Sequence, residues 1–315
     1  MSLQKFLSLL VLTTPLVLAS TRAVAQQTDY TKVEVKAEKV ADNIYMLTGA
    51  GGNIGLSVGR DGALLIDDQF APLAPKIRAA VALLSDQPIR FLINTHWHGD
   101  HAGGNEAFGK TGSVIVAQDN VRNRLNSTQP GPMGGPPSPP SPAAALPVVT
   151  FADAVTLHFN DDDLDVIHVS NAHTDGDAII RFHKANVIHM GDTFFLGSYP
   201  FIDNKSGGSY DGMISATEKG LAMADDQTRI IPGHGPLGNK KDLREFHDML
   251  VAIRARVVKL VQAGKTQDEV IAAKPTADYD AKLPGSFFKP DVWVARVYVE
   301  YRKAWEAKKK GGKGK

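Results

Sequence analysis

A six-residue run, HWHGDH at positions 96–101, constrains this chain more than any other feature of its sequence. The run follows the short apolar segment Ile89–Ile93, which has the pattern of a buried β-strand. Alternate residues of an extended segment point the same way, so His96 and His98 can bind one divalent cation. The last two residues of the run follow a glycine and can turn toward a second cation. The run therefore predicts a metal site at the end of a strand.

Further ligands are expected elsewhere, because six residues cannot complete two metal sites. Three candidates each follow an apolar, strand-like segment and have a glycine close by, which lets the backbone and a ligand approach closely. They are His173, Asp192 and His234. The chain has no cysteine, which excludes disulfides and thiolate ligands. Any metal site must therefore use histidine, aspartate or glutamate side chains.

Strand-like apolar segments recur in both halves of the chain, and apolar residues with helical spacing mark residues 74–84, 243–262 and 291–308. Thr266 and Glu269 have the spacing of a capping box that opens another helix. Two strand-rich halves, each with helices, predict an α/β chain in which two sheets pack face to face with helices outside.

The N-terminal residues predict a secretory signal peptide over residues 1–25. Lys5 precedes an apolar run, and small residues follow at Ala23 and Ala25. The run is shorter than the roughly 20 residues of a membrane-spanning helix, so no membrane association is expected after cleavage. We therefore expect a periplasmic or secreted protein.

The expected catalytic domain covers residues 26–306. Residues 129–147 are rich in proline and glycine and predict a loop insertion, either a loosely attached surface segment or a flap near the active site. Residues 307–315, rich in lysine and glycine, predict a disordered tail. The formal net charge of +1 argues against nucleic acid or an anionic membrane as the main partner. We expect a small-molecule substrate and a monomer.

In the order and spacing of these residues, the chain resembles the metallo-β-lactamase superfamily over nearly all of residues 26–306. The resemblance implies an αββα sandwich of two mixed sheets, with helices on the outer faces and the metals at one edge. The implied ligands of the first metal are His96, His98 and His173. The implied ligands of the second are Asp100, His101 and His234. Asp192 would bridge both, and Asp67 matches a family aspartate that orients a ligand or loop.

The resemblance implies two zinc ions, although iron or manganese suits the same donors. It implies hydrolysis of a carbonyl-centred bond by a water whose pKa falls toward about 7 when it binds the metal. In this scheme Asp100 acts as a catalytic residue that orients the water or passes a proton.

Three functions remain open. The first is hydrolysis of a β-lactam or a related cyclic amide or lactone, because residues 171–177 and the export signal resemble the β-lactamase side of the superfamily. The best-known β-lactamase subclass, however, has a cysteine where Asp192 stands and a substrate-binding lysine where Phe195 stands. Lys205 could substitute for that lysine, although a solvated loop residue is the simpler interpretation. The second is thioester or ester hydrolysis of the glyoxalase II type. The third is metal binding in the periplasm without catalysis, which the full ligand set disfavours.

Overall fold

The computed structural model describes residues 28–130 and 137–311. The predicted signal peptide at residues 1–25 and residues 312–315 of the predicted tail lie outside this part of the chain. None of the helices within it combines the length and the hydropathy that crossing a bilayer requires.

The first sheet has seven strands, which lie side by side in chain order. They are β1 (Lys36–Lys39), β2 (Ile44–Thr48), β3 (Ile54–Gly59), β4 (Gly62–Ile66), β5 (Ile89–Ile93), β6 (Val114–Gln118) and β7 (Val149–Phe151). Strands β1 to β4 pair antiparallel, whereas β4 to β7 pair parallel. The sheet is therefore mixed.

The second sheet has six strands in the order β13-β12-β11-β10-β9-β8. They are β8 (Ala154–Phe159), β9 (Asp162–His168), β10 (Ala178–Phe182), β11 (Val187–His189), β12 (Arg229–Ile231) and β13 (Gly238–Asn239). Here β11 and β12 pair parallel and the other neighbours pair antiparallel. This sheet is also mixed.

Nine helices accompany the sheets in the described part of the chain. They are α1 (Ala74–Ala82), α2 (Gly99–Ala102), α3 (Asn105–Gly109), α4 (Asp119–Leu125), α5 (Tyr210–Met223), α6 (Lys240–Gln262), α7 (Gln267–Ala272), α8 (Ala277–Asp280) and α9 (Pro290–Gly311). Thr266 and Glu269 form the predicted capping box at the start of α7.

Side chains alternate along each strand between the two faces of its sheet. They form an inner core between the sheets and an outer core under the helices on each side. In β4, Leu64 and Ile66 pack into the core between the sheets, while Leu65 packs on the outer face with α1 and α3. In β10, Ile180 points inward and Ile179 packs outward with α5, α6 and α9. The predicted αββα sandwich of two mixed sheets with helices on the outer faces is confirmed.

The predicted disordered tail is partly wrong, because α9 continues through residues 307–311. Lysine, glutamate and alanine at the end of this helix have high helix propensity. Trp305 also packs against the outer core, and Arg302 pairs with Glu306 one turn later. These interactions extend the helix beyond the point where composition predicted disorder.

The described part of the 129–147 insertion is attached to the domain beside the histidine run. Asn105 in α3 donates a hydrogen bond from Nδ2 to the carbonyl oxygen of Ala145 at 2.9 Å. Leu146 is buried in a small apolar cluster with Trp97. Residues 145–147 at the end of the insertion are therefore packed against the domain, whereas residues 137–140 are exposed.

Candidate metal centre

The predicted ligands meet at one edge of the sandwich because of how the strands run. Residues 96–101 follow β5, Asp192 follows β11 and His234 follows β12. His173 lies in the connection between β9 and β10. Since β9 and β11 are both antiparallel to β10, they point the same way and end at the same edge. The seven predicted ligands are thus brought together from both sheets.

The donor atoms form three overlapping groups, each with all its atoms within 4.8 Å of one another. The first group is His96, His98 and His173. The second is Asp100, His101 and His234. The third shares members with both and is His96, His101 and Asp192.

Asp192 lies between the first two groups and presents one carboxylate oxygen to each. Its Oδ1 is 3.0 Å from Nε2 of His101 and 3.4 Å from Nε2 of His234. Its Oδ2 is 3.5 Å from Nε2 of His173 and 3.9 Å from Nε2 of His96. This is the geometry of a carboxylate that can bridge two ions.

The donor set fits divalent metal ions. Ligand atoms about 2.1 Å from a tetrahedral ion are roughly 3.4 Å apart, close to the distances from Asp192 to the surrounding imidazoles. Nε2 of His96 is buried and has no hydrogen-bond partner among the described residues. A buried polar atom without a partner is costly, and a cation would satisfy it.

Asp67 fixes the orientation of His101. Its fully buried side chain places Oδ2 2.8 Å from Nδ1 of His101, and Oδ1 accepts a hydrogen bond from the backbone N–H of Thr95 at 2.7 Å. When Nδ1 donates to the carboxylate, the Nε2 lone pair of His101 faces the other ligands. This contact is the one that a ligand-orienting residue would make to His101.

Two further orienting groups were not anticipated from the sequence. Nε2 of His98 lies 3.0 Å from Oδ2 of Asp203, and Nδ1 of His173 donates to the carbonyl oxygen of Phe201 at 2.8 Å. The opposite ring nitrogens, Nδ1 of His98 and Nε2 of His173, face each other at 2.8 Å. A single loop aspartate and a backbone carbonyl carry no recognisable motif, so sequence offered no signal for either contact.

Two glycines permit the close packing of the ligands. A Cβ on Gly52 would overlap the imidazole of His101, and a Cβ on Gly233 would overlap Oδ1 of Asp192. Both positions therefore require glycine, since any side chain would displace a ligand.

Burial lowers the pKa of some histidines of the site, whereas nearby carboxylates raise the pKa of others. Burial holds the pKa of His96 well below its ordinary value and lowers the pKa of His173 to about 4. Burial also acts on His101 and His234, but the nearby carboxylates, Asp192 foremost, outweigh it. They hold the pKa of His101 well above its ordinary value and raise the pKa of His234 to about 9.

Metal affinity in the group of Asp100, His101 and His234 is expected to rise with pH up to about 9. Below that pH His234 carries a proton that a metal ion must displace, so affinity should fall about tenfold per pH unit for each proton released. His96 and His173 in the first group have lowered pKa values, so these two residues should release no proton when a metal binds near neutral pH. Calorimetric zinc titrations in buffers of different ionisation enthalpy would measure the protons released. Two binding steps with the same pH dependence would contradict this expectation.

Aromatic rings rather than cations border the ligands. Phe195 stacks on His234 with ring centroids 5.3 Å apart, and Trp97 lies 4.8 Å from His98. Within the described part of the chain, no lysine or arginine pairs with any of the seven ligands. Lys205 is exposed, and the bond recorded for it is from its backbone N–H to Oδ1 of Asp203.

Comparison with known proteins places these features in a family. The family model described as the metallo-β-lactamase superfamily matches residues 47–234. Two curated relatives, each named hydroxyacylglutathione hydrolase, are both 27% identical to this chain. The match to the protein from Polaromonas sp. (strain JS666) covers 56% of this chain and 59% of the relative. The match to the protein from Nitrosococcus oceani covers 73% and 77%.

Solved structures with the same fold include metallo-β-lactamases. The enzyme from Pontibacter korlensis superposes with a TM-score of 0.57 at 18% identity, over 69% of this chain and 99% of that one. The DIM-1 metallo-β-lactamase superposes with a TM-score of 0.57 at 16% identity, over 70% and 98%. At these identities the likeness shows the fold alone. The family model spans more than half of the chain, and the chain therefore belongs to the metallo-β-lactamase superfamily of hydrolases.

Proposed function

We propose that the protein is a two-metal hydrolase that cleaves a carbonyl-centred bond in a small molecule. The observation that carries this proposal is the position of Asp192, with one carboxylate oxygen facing each of the two donor groups. Two zinc ions, or iron or manganese, would supply Lewis acidity and a nucleophilic water at neutral pH.

The protein's own residues then have distinct tasks. Asp67 and Asp203 orient His101 and His98, so that their free nitrogens point into the site. Asp100 is partly exposed, so its carboxylate can face the substrate. Burial opposes its ionisation, yet His101 and its neighbour His234 lower the pKa of Asp100 to about 2. Asp100 is therefore ionised at neutral pH and can accept a hydrogen bond that orients the attacking water.

The surroundings of the ligands support a substrate with an uncharged acyl part. The partly exposed ring of Phe201 lies against His173 and offers apolar contact, while the buried rings of Trp97 and Phe195 pack against His98 and His234. An anchored carboxylate would need a cation, and the exposed Lys205 is the one candidate that the sequence offered. We propose an ester, lactone or thioester as the preferred substrate class, with a β-lactam or other cyclic amide as the competing class.

The comparisons bear on this choice in different ways. The names of the curated relatives support thioester hydrolysis of the glyoxalase II type. The likeness to β-lactamases is one of fold and does not extend to substrate. The aromatic border of the site supports an uncharged acyl group and does not by itself separate the two classes.

A panel of β-lactams, lactones, thioesters and phosphodiesters tests the proposal, with kcat/KM measured on metal-loaded protein. We expect lactones or thioesters to exceed β-lactams by at least about tenfold, the effect of roughly 1.4 kcal/mol in transition-state binding. Lys205→Ala serves as the matched probe of carboxylate binding. If β-lactams rank first and Lys205→Ala raises their KM, the lactam class is correct. If no substrate in the panel is turned over, the hydrolase proposal fails.

We also propose that the protein works outside the cytoplasm as a monomer without nucleic-acid or membrane partners. The signal-like pattern of residues 1–25 supports export. N-terminal sequencing of protein from the cell envelope or medium should begin after Ala25, and an intact N-terminus there would contradict export.

A further inference from the structure

One loop carries both of the orienting groups that the sequence analysis missed. We call residues 199–206 the ligand-support loop. Within it, the carbonyl oxygen of Phe201 accepts from His173 and the carboxylate of Asp203 accepts from His98. Two of the three histidines in the first donor group thus depend on the position of this loop.

Helix α9 contacts the ligand-support loop through polar groups on one of its faces. Nε1 of Trp293 donates to the carbonyl oxygen of Pro200 at 2.8 Å, and Nη2 of Arg296 donates to that of Ile202 at 3.3 Å. The guanidinium of Arg296 also lies 5.1 Å from the ring centroid of Phe201. Side chains of α9 therefore hydrogen-bond to the backbone carbonyls on both sides of Phe201, the residue whose own carbonyl orients His173.

A third contact extends the same face by one turn. Oε2 of Glu300 accepts from Nδ2 of Asn204 at 2.9 Å, and its Oε1 accepts from the backbone N–H of Tyr210 at 2.8 Å. Positions 293, 296 and 300 are spaced by three and four residues, so they lie above one another on the helix. The three side chains of α9 therefore contact the loop from Pro200 to Asn204.

Packing alone does not explain these contacts. Val294 and Val297 already bury α9 in the outer core. The indole ring of Trp293 lies in the same core, whereas its N–H, Arg296 and Glu300 satisfy polar atoms in and just after the loop. Helix α9 lies outside residues 47–234, the part of the chain that the family model matches.

We propose that α9 is a positioning element of the metal site. Trp293, Arg296 and Glu300 hold the ligand-support loop so that the Phe201 carbonyl and the Asp203 carboxylate keep His173 and His98 oriented toward a metal. This inference rests on the proposed metal site. None of these helix residues touches the reacting atoms, so they are positioning residues rather than catalytic ones.

Zinc affinity of the full chain, measured by competition with a chromophoric chelator, tests the proposal. Arg296→Met removes the guanidinium but keeps most of the side-chain length. Its matched control is Arg302→Met. This change also removes an arginine from α9, but one whose partner is the exposed Glu306. Asp203→Asn is the positive control, for which loss of an outer partner should weaken zinc binding roughly 10–100-fold.

We expect Arg296→Met to weaken zinc binding at least about threefold and less than Asp203→Asn does. Arg296→Lys should restore part of the loss, and Arg302→Met should have no effect. Melting of the metal-free proteins shows whether each variant is folded, and Glu300→Gln provides a milder change should Arg296→Met fail to fold. The d–d spectrum of the cobalt-loaded protein should shift in Arg296→Met as the ligand geometry relaxes.

Two results separate the inference from the proposed function. If the wild type binds zinc and the folded Arg296 and Glu300 variants bind it equally well, α9 does not position the site. If the wild type binds no zinc, iron or manganese, the proposed metal site fails and the inference fails with it.

Discussion

Asp192→Asn is expected to lower kcat/KM by more than the roughly 100-fold that loss of an outer partner of a metal ligand can cost. Asp192 faces both donor groups, so the substitution would leave a neutral amide in place of a carboxylate that could bind two ions. An amide also lacks the negative charge that offsets the cations. Steady-state kinetics with the preferred substrate, together with metal analysis after gel filtration, measure the two effects.

Asp226→Asn is the matched control for this prediction. It makes the same chemical change at a side chain that is 92% exposed. It should leave kcat/KM and bound metal unchanged, because surface substitutions of this kind have small effects. An Asp192→Asn variant that keeps the wild-type metal content and turnover would show that this carboxylate does not bridge ions.

Removal of metal is expected to abolish turnover and to lower the melting temperature by roughly 10 °C. At free zinc about 1,000-fold above its dissociation constant, binding stabilises the native state by about 4 kcal/mol. For a chain of this size each kcal/mol corresponds to roughly 2–4 °C. A bound metal would also relieve the close approach of two imidazoles, because the Nε2 atoms of His101 and His234 lie 3.3 Å apart.

The measurement compares calorimetric melting of protein dialysed against chelator with that of protein reloaded with zinc. Reloading should restore both turnover and melting temperature, which distinguishes reversible metal loss from denaturation. Equal melting temperatures with and without metal would mean that the donor groups bind no ion tightly. Asp100→Asn then tests the catalytic role of this carboxylate, since unchanged turnover of every substrate would show that the reaction does not depend on Asp100.

The ligands could be predicted because their signals are local. The run at 96–101 places four donors within six positions, and His173, Asp192 and His234 each have a glycine within three positions after an apolar strand. Alternation of inward and outward side chains likewise revealed most of the strands. Spacing alone did not show which of these residues share a metal. The resemblance to a known family supplied that grouping.

Asp203 and Phe201 could not be predicted, because their roles depend on contacts across the fold. Asp203 is 105 positions from His98 along the chain, and the Phe201 group that binds His173 is a backbone carbonyl. A carbonyl has no residue-type signature. Contacts of this kind become visible only when the loop and the strands are placed together.

Helix α5 was also missed, for a different reason. Its sequence contains glycines at positions 212 and 220, which weaken helix propensity, and its large apolar side chains are few. The helix is stabilised by a cap from Ser209 and by burial of Tyr210 and Met213 in the outer core. Tertiary packing therefore decides its conformation, as it does for most short helices.

The mixing of donors from both sheets has a consequence for the order in which the protein matures. A nascent chain that ends after β7 contains four of the seven donors, those of residues 96–101. None of the three donor groups is complete at that stage, because His173, Asp192 and His234 belong to the second half. In the proposed site, tight binding of metal would therefore follow the docking of the two sheets, and a bound ion would report a finished fold rather than guide its early steps.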